Sequence, residues 1–94
     1  MPYIPKEDRE RFDKLIDQLI EKLVNSNNNE LSGELNYIIS QICWQLSGHN
    51  NIHGERRYSR MNAIMGSLEC AKMELYRRIV STYEDGKIER NGDL

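Results

Sequence analysis

This sequence of 94 residues predicts an all-α fold: a three-helix chain with a long third helix that completes its core by oligomerisation. Three observations carry that reading. Apolar residues recur in steps of one, three and four in three separate stretches, which gives each stretch an apolar stripe on a 3.6-residue helix. The breaks between the stretches are polar and rich in Asn and Gly, as connections are. The chain has the length of one domain, residues 1–94, and two helices cannot surround a third that is semi-apolar on most sides.

The first helix is expected over 5–24. Phe12, Leu15, Ile16, Leu19, Ile20, Leu23 and Val24 form its stripe. Pro5 suits the first turn, where a missing N–H costs nothing, and Glu7 and Asp8 suit the positive end of the helix dipole. The opposite face, with Arg9 and Lys14, reads as solvated. Asn25-Ser26-Asn27-Asn28-Asn29 then breaks the pattern. The second helix is expected over 33–47, capped by Ser32, with a stripe of Leu35, Ile38, Ile39, Ile42, Cys43 and Leu46 and a stop at Gly48. Gly48 to Arg57 holds two histidines, two asparagines and two glycines and reads as a loop. The third helix is expected over 59–83, capped by Ser59, with Met61, Ile64, Met65, Leu68, Leu75 and Ile79 as its main stripe. Glu84-Asp85-Gly86 is expected to end it, leaving a tail over 84–94 that docks or frays.

The unfinished core follows from the third helix. Beside its main stripe lies a second arc of Tyr58, Asn62, Glu69, Met73, Tyr76 and Val80, with Gly66 at its edge. The remaining side begins with the small residues Ala63, Ser67 and Cys70, which let another backbone approach. On the second helix, Tyr37 and Trp44 are seven positions apart and share the face opposite the stripe. An exposed Tyr/Trp pair marks an interface or a ligand platform, and extended core is the weaker alternative.

Several function classes are disfavoured. A net charge of −2 argues against a generic DNA or RNA binder, which is normally basic. No apolar run approaches the ~20 residues of a membrane span, and the N-terminus has no signal-peptide pattern, so a cytoplasmic protein is expected. Cys43 and Cys70 sit in apolar helical patterns and read as reduced, buried packing groups rather than redox or metal ligands. His49 and His53 are four apart, but their Gly and Asn neighbours point to solvated loop histidines, so no metal and no cofactor is expected. There is no Gly-x-Ser-x-Gly, no Gly-rich phosphate loop, and no Glu-x-x-Glu on helices two and three, so an enzyme is not the expectation.

Two groups are more suggestive. Asn62, Glu69 and Lys72 are polar residues set among apolar ones. A local Glu69–Lys72 ion pair explains them best, and a recessed polar pocket is the alternative. Arg56, Arg57 and Arg60 accompany Tyr58, and Arg77 and Arg78 accompany Tyr76. Arginine with an aromatic ring can clamp a phosphate and stack a base. These arginines can equally pair with Glu55, Glu74 and Glu84.

A resemblance runs along almost the whole chain. It rests on Met1-Pro2-Tyr3-Ile4, Gly33-Glu34-Leu35-Asn36-Tyr37, Arg57-Tyr58 with Asn62, Leu68-Glu69-Cys70-Ala71-Lys72, Glu74-Leu75-Tyr76-Arg77-Arg78, and Tyr83-Glu84-Asp85 with Asn91-Gly92-Asp93. In this the chain resembles a family of small proteins found in bacteriophage genomes, prophages and metagenomes. In that family the tail often ends Gly-Asp-Val-Tyr, whereas here Gly92-Asp93-Leu94 lacks the terminal aromatic. The resemblance implies a phage-type gene and no particular activity. Some phage proteins of this size are helical oligomers that sequester nucleotide second messengers between subunits, a likeness of size and style only.

Three functions are therefore expected, in this order. The first is a homo-oligomer that binds and sequesters a phosphorylated small molecule, such as a cyclic or adenine-containing nucleotide immune signal, as an anti-defence protein. Its ligand-binding residues would come from Tyr37, Trp44, Arg57, Tyr58, Arg60, Asn62, Glu69, Lys72, Tyr76, Arg77 and Arg78. The second is an inhibitor that covers a host enzyme with its Tyr37/Trp44 face. The third is a small nucleotide-cleaving enzyme using Glu34, Glu69 and Lys72.

Overall fold

The computed structural model describes residues 3–25, 30–48 and 57–94. The described residues are helical, with no strand among them. Helix α1 spans Lys6–Val24 and α2 spans Leu31–Leu46. Helix α3 (Tyr58–Leu75) continues through a π-helical turn (Tyr76–Val80) into α4 (Ser81–Asn91) without leaving helical geometry. This rod of 34 residues is roughly 51 Å long at 1.5 Å per residue. It accounts for the longest dimension of the molecule, 52 Å.

The expected ends need three corrections. Ser32 and Ser59 do not cap their helices. The N-cap positions are Glu30 and Arg57, so each serine falls inside the first turn, and neither cap has a side-chain hydrogen bond. The third helix does not stop at Glu84-Asp85-Gly86, and residues 84–91 are helix rather than tail. One interior glycine costs only ~1 kcal/mol against alanine, which good helix formers on both sides outweigh. The rod ends at Gly92, whose φ of 90° suits glycine and whose N–H donates to Ile88 O at 2.8 Å. Gly48 ends α2 in the same way, with φ 93° and its N–H on Gln45 O. The histidines His49 and His53, with Glu55 and Arg56, lie outside the described residues.

The apolar stripes fall where the periodicity puts them, but within this chain they are not covered. No hydrophobic side chain among the described residues is buried. Leu15 is 60% exposed, Leu75 55% and Ile79 61%. The accessible surface is 8587 Å², against about 5,700 Å² for a compact monomer of this mass. The radius of gyration is 16.9 Å, where a compact domain of 100 residues has about 13 Å. Helices α1 and α2 touch lightly, and hydrogen bonds tie the rod to α2 and to the segment ahead of α1. Arg60 donates to Leu46 O at 3.4 Å, and Tyr3, just ahead of α1, reaches Glu74 and Arg77.

Candidate functional site

The N-terminal residues Tyr3-Ile4-Pro5 form a strap from α1 to the rod. Pro5 fixes the backbone ahead of α1 at φ −52° and ψ 145°. Arg9, expected on a solvated face, donates through Nε to Ile4 O at 2.8 Å and holds the strap from below. Tyr3 donates its hydroxyl to Glu74 Oε1. Arg77 Nη2 donates to the same carboxylate oxygen at 2.8 Å and to the Tyr3 hydroxyl at 3.2 Å, and Arg78 Nη1 lies 3.6 Å from that oxygen. The Tyr3 hydroxyl is the main cause holding the Glu74 carboxyl below its usual range, with Arg77 and Arg78 adding to it against the cost of desolvation. The same carboxylate holds the Arg77 guanidinium up.

The π-helical turn lies next to this cluster. The Ser81 N–H reaches back to Tyr76 O across five residues, which widens the helix by one residue. Ser81 Oγ donates to Arg77 O at 2.9 Å and Thr82 Oγ1 to Arg78 O at 3.4 Å, so side chains serve carbonyls of the widened turn. Tyr76 donates to Glu84 Oε2 at 3.0 Å, and that carboxylate raises the phenol's pKa. Turns of this kind recur at functional sites.

A mainly apolar groove of about 670 Å³ runs between strap and turn. Met73 and Val80 line it, Cys70 and Tyr76 flank it, and Lys72, Glu74 and Arg77 supply its charges. A second cleft, of about 570 Å³, separates Cys43 and Leu46 of α2 from Arg60, Ala63, Ile64, Ser67, Leu68 and Ala71 of α3.

Of the residues singled out from the sequence, Lys72, Tyr76 and Arg77 line the groove and Arg78 borders it through Glu74. Glu69 and Lys72 form the local pair, 3.5 Å apart, with both side chains mostly exposed. Arg60 lines the second cleft instead. Tyr37, Trp44, Arg57, Tyr58 and Asn62 line neither cavity. Tyr37 is 65% and Trp44 56% exposed, so in this chain neither ring folds over a neighbouring helix as buried core. The two arginine–tyrosine groups are about 27 Å apart along the rod and cannot meet on one small ligand within one chain. Both cysteines are free thiols, but they are not buried as expected: Cys43 is half-buried and Cys70 exposed, because the described residues leave the apolar faces of α2 and the rod open. Tyr3 and Glu74 are the members that sequence reasoning left out of the site. Tyr3 stood in the family string and Glu74 among the possible arginine partners, and no local pattern joins residues 71 positions apart.

Among the described residues, no three metal-ligating side chains converge, and no helix is long and apolar enough to cross a membrane. The fold and site together define a helical protein with an uncovered apolar surface and a groove rimmed by both charges. The chain belongs to the family described as Domain of unknown function (DUF6899), whose model matches residues 1–94. No curated protein and no solved structure matches it.

Proposed function

We propose that this protein is a non-catalytic homo-oligomer that binds and sequesters a phosphorylated, nucleotide-like small molecule. The observation that carries this reading is the groove at the π-helical turn. It sets an apolar floor and the Tyr76 ring beside Lys72, Arg77 and Arg78, which suits a base on one side and a phosphate on the other. The surplus surface of roughly 2,900 Å² supports the oligomer, since a standard interface takes only ~800 Å² per partner. Glu69 and Lys72 form an exposed local pair rather than a recessed polar pocket, which favours the non-catalytic reading. The phage-type origin implied by the family resemblance makes a nucleotide immune signal in the host cytoplasm the ligand to try first.

The test pairs sedimentation with calorimetry. Wild-type protein is expected to sediment as an oligomer and to bind a member of a panel of cyclic di- and trinucleotides and cyclic ADP-ribose isomers at micromolar concentration, without turnover. A monomer, or an oligomer that binds none of them, overturns the reading. The exposed Tyr37/Trp44 pair favours a second reading, an inhibitor that covers a host protein through that face. Loss of host-protein capture on Tyr37→Ala, with nucleotide binding absent, would select it.

A further inference from the structure

The cleft between α2 and α3 is open and mostly apolar, and on the α3 side Arg60, Ala63, Ile64, Ser67, Leu68 and Ala71 line it. Arg60 and Glu74 each lie seven positions from Ser67, and at 100° per residue all three fall within about 20° of one line along the helix. Ala63 and Ala71 lie four positions to either side of Ser67 and about 40° to its flanks. One line along this face therefore reads cation, small, small, small, anion, with Ser67 at its centre, Ile64 and Leu68 beside it in the cleft, and Glu74 beyond the cleft in the groove. Such a face complements itself when a second copy runs antiparallel, because a two-fold axis at Ser67 sets each residue opposite its mirror in number. Arg60 then meets Glu74 of the partner subunit, and alanine meets alanine, which lets the helices approach to the short end of the usual 8–10 Å. A parallel copy would set Arg60 against the partner's Arg60.

We infer that a second copy of this chain fills the α2–α3 cleft in this antiparallel register and that the partner's Arg60 completes the phosphate site at Glu74. The inference rests on the ligand-binding oligomer proposed above and names its partner. Glu74 Oε1 already accepts from the Tyr3 hydroxyl and from Arg77 at 2.8 Å, with Arg78 3.6 Å away. Arg77 and Arg78 already outnumber the Glu74 carboxylate there, and a third guanidinium enlarges that positive surplus. That surplus suits an anion held by several charge-assisted hydrogen bonds. One chain cannot make this cluster, because its own Arg60 lies about 21 Å along the rod from Glu74.

Charge reversal across the two copies tests the register. Arg60→Glu and Glu74→Arg are each expected to weaken self-association at least about tenfold, since like charges then face each other at both junctions. An equimolar mixture of the two variants is expected to associate as tightly as wild type, because both junctions of the mixed dimer regain opposite charges. Helicity measured on each variant shows that it folds. In a Cys43→Ala, Cys70→Ala background, Ser67→Cys is expected to cross-link two copies on oxidation, with no dependence on the charged pair. The mixture is also expected to regain binding of whichever cyclic nucleotide wild type binds. A mixture no tighter than its components, or a Ser67→Cys chain that stays uncross-linked, overturns the register. If wild type still sediments as an oligomer in that event, the oligomer itself stands. Rescue of association without rescue of nucleotide binding overturns the assignment of Arg60 to the phosphate site.

Discussion

At the scale of single residues, the Tyr3–Glu74–Arg77 contact is the one with a pH signature. A carboxyl whose pKa is depressed on folding stabilises the fold above its unfolded value, and that contribution is lost as pH falls through the folded value. Glu74 is such a group, so the strap is expected to detach on acidification below the ordinary carboxylate range. Tyr3→Phe removes the largest cause, so NMR titration is expected to show the Glu74 pKa rising toward its ordinary value. An unmoved titration would separate the strap from the rod. Tyr76 carries the opposite sign. Its pKa is raised by Glu84, so its contribution is present at neutral pH and lost as pH climbs through the folded value. At the proposed ligand site, Arg77→Ala is expected to weaken nucleotide binding by roughly 1.5–3 kcal/mol, read by titration. Lysine at that position would restore only part of it, lacking the planar fork.

At the scale of elements, Gly66 separates contacts within the chain from contacts between chains. An added Cβ at Gly66 meets nothing within 4 Å. In an isolated chain, Gly66→Ala is therefore expected to stabilise the helix by about 0.5–1 kcal/mol. Gly66→Leu is expected to weaken self-association if another chain lies there, because overpacking costs about 1–3 kcal/mol. Thermal melts and light scattering on the two variants read these effects separately. Gly86 also faces open space. It reads as a stop in the sequence because Glu-Asp-Gly is a turn signal, and it does not act as one because a single interior glycine costs only ~1 kcal/mol and Lys87, Glu89 and Arg90 beyond it favour the helix. The helices themselves were legible, since a stripe such as Leu15, Ile16, Leu19 and Ile20 has only one economical reading. The Glu69–Lys72 pair was legible for the same reason, being a matter of i, i+3 spacing. The π-helical turn at Tyr76–Val80 was not, because α4 beyond it carries a single aliphatic residue, Ile88, too few to show a shifted stripe. The strap was not legible either, because its partners are joined only by tertiary geometry.

At the scale of the whole molecule, the dominant feature is how little the chain hides. Cys43→Ala and Cys70→Ala are expected to lower stability modestly and leave ligand binding in place if both thiols pack against another copy. Loss of binding in either folded variant, measured by the same titration, would give that cysteine a role in the site. The surplus surface has one more consequence. A chain with no buried side chain among its described residues gains little by folding alone, so the proposed oligomer would add most of the packing, and the melting midpoint would rise with the logarithm of concentration. Melting curves at increasing protein concentration are expected to shift upward together. In a cell, newly made copies would stay open to proteases while scarce and become resistant once enough had accumulated to find one another. Abundance itself would then set a threshold, and a slow trickle of synthesis would leave nothing behind where a burst leaves a lasting pool.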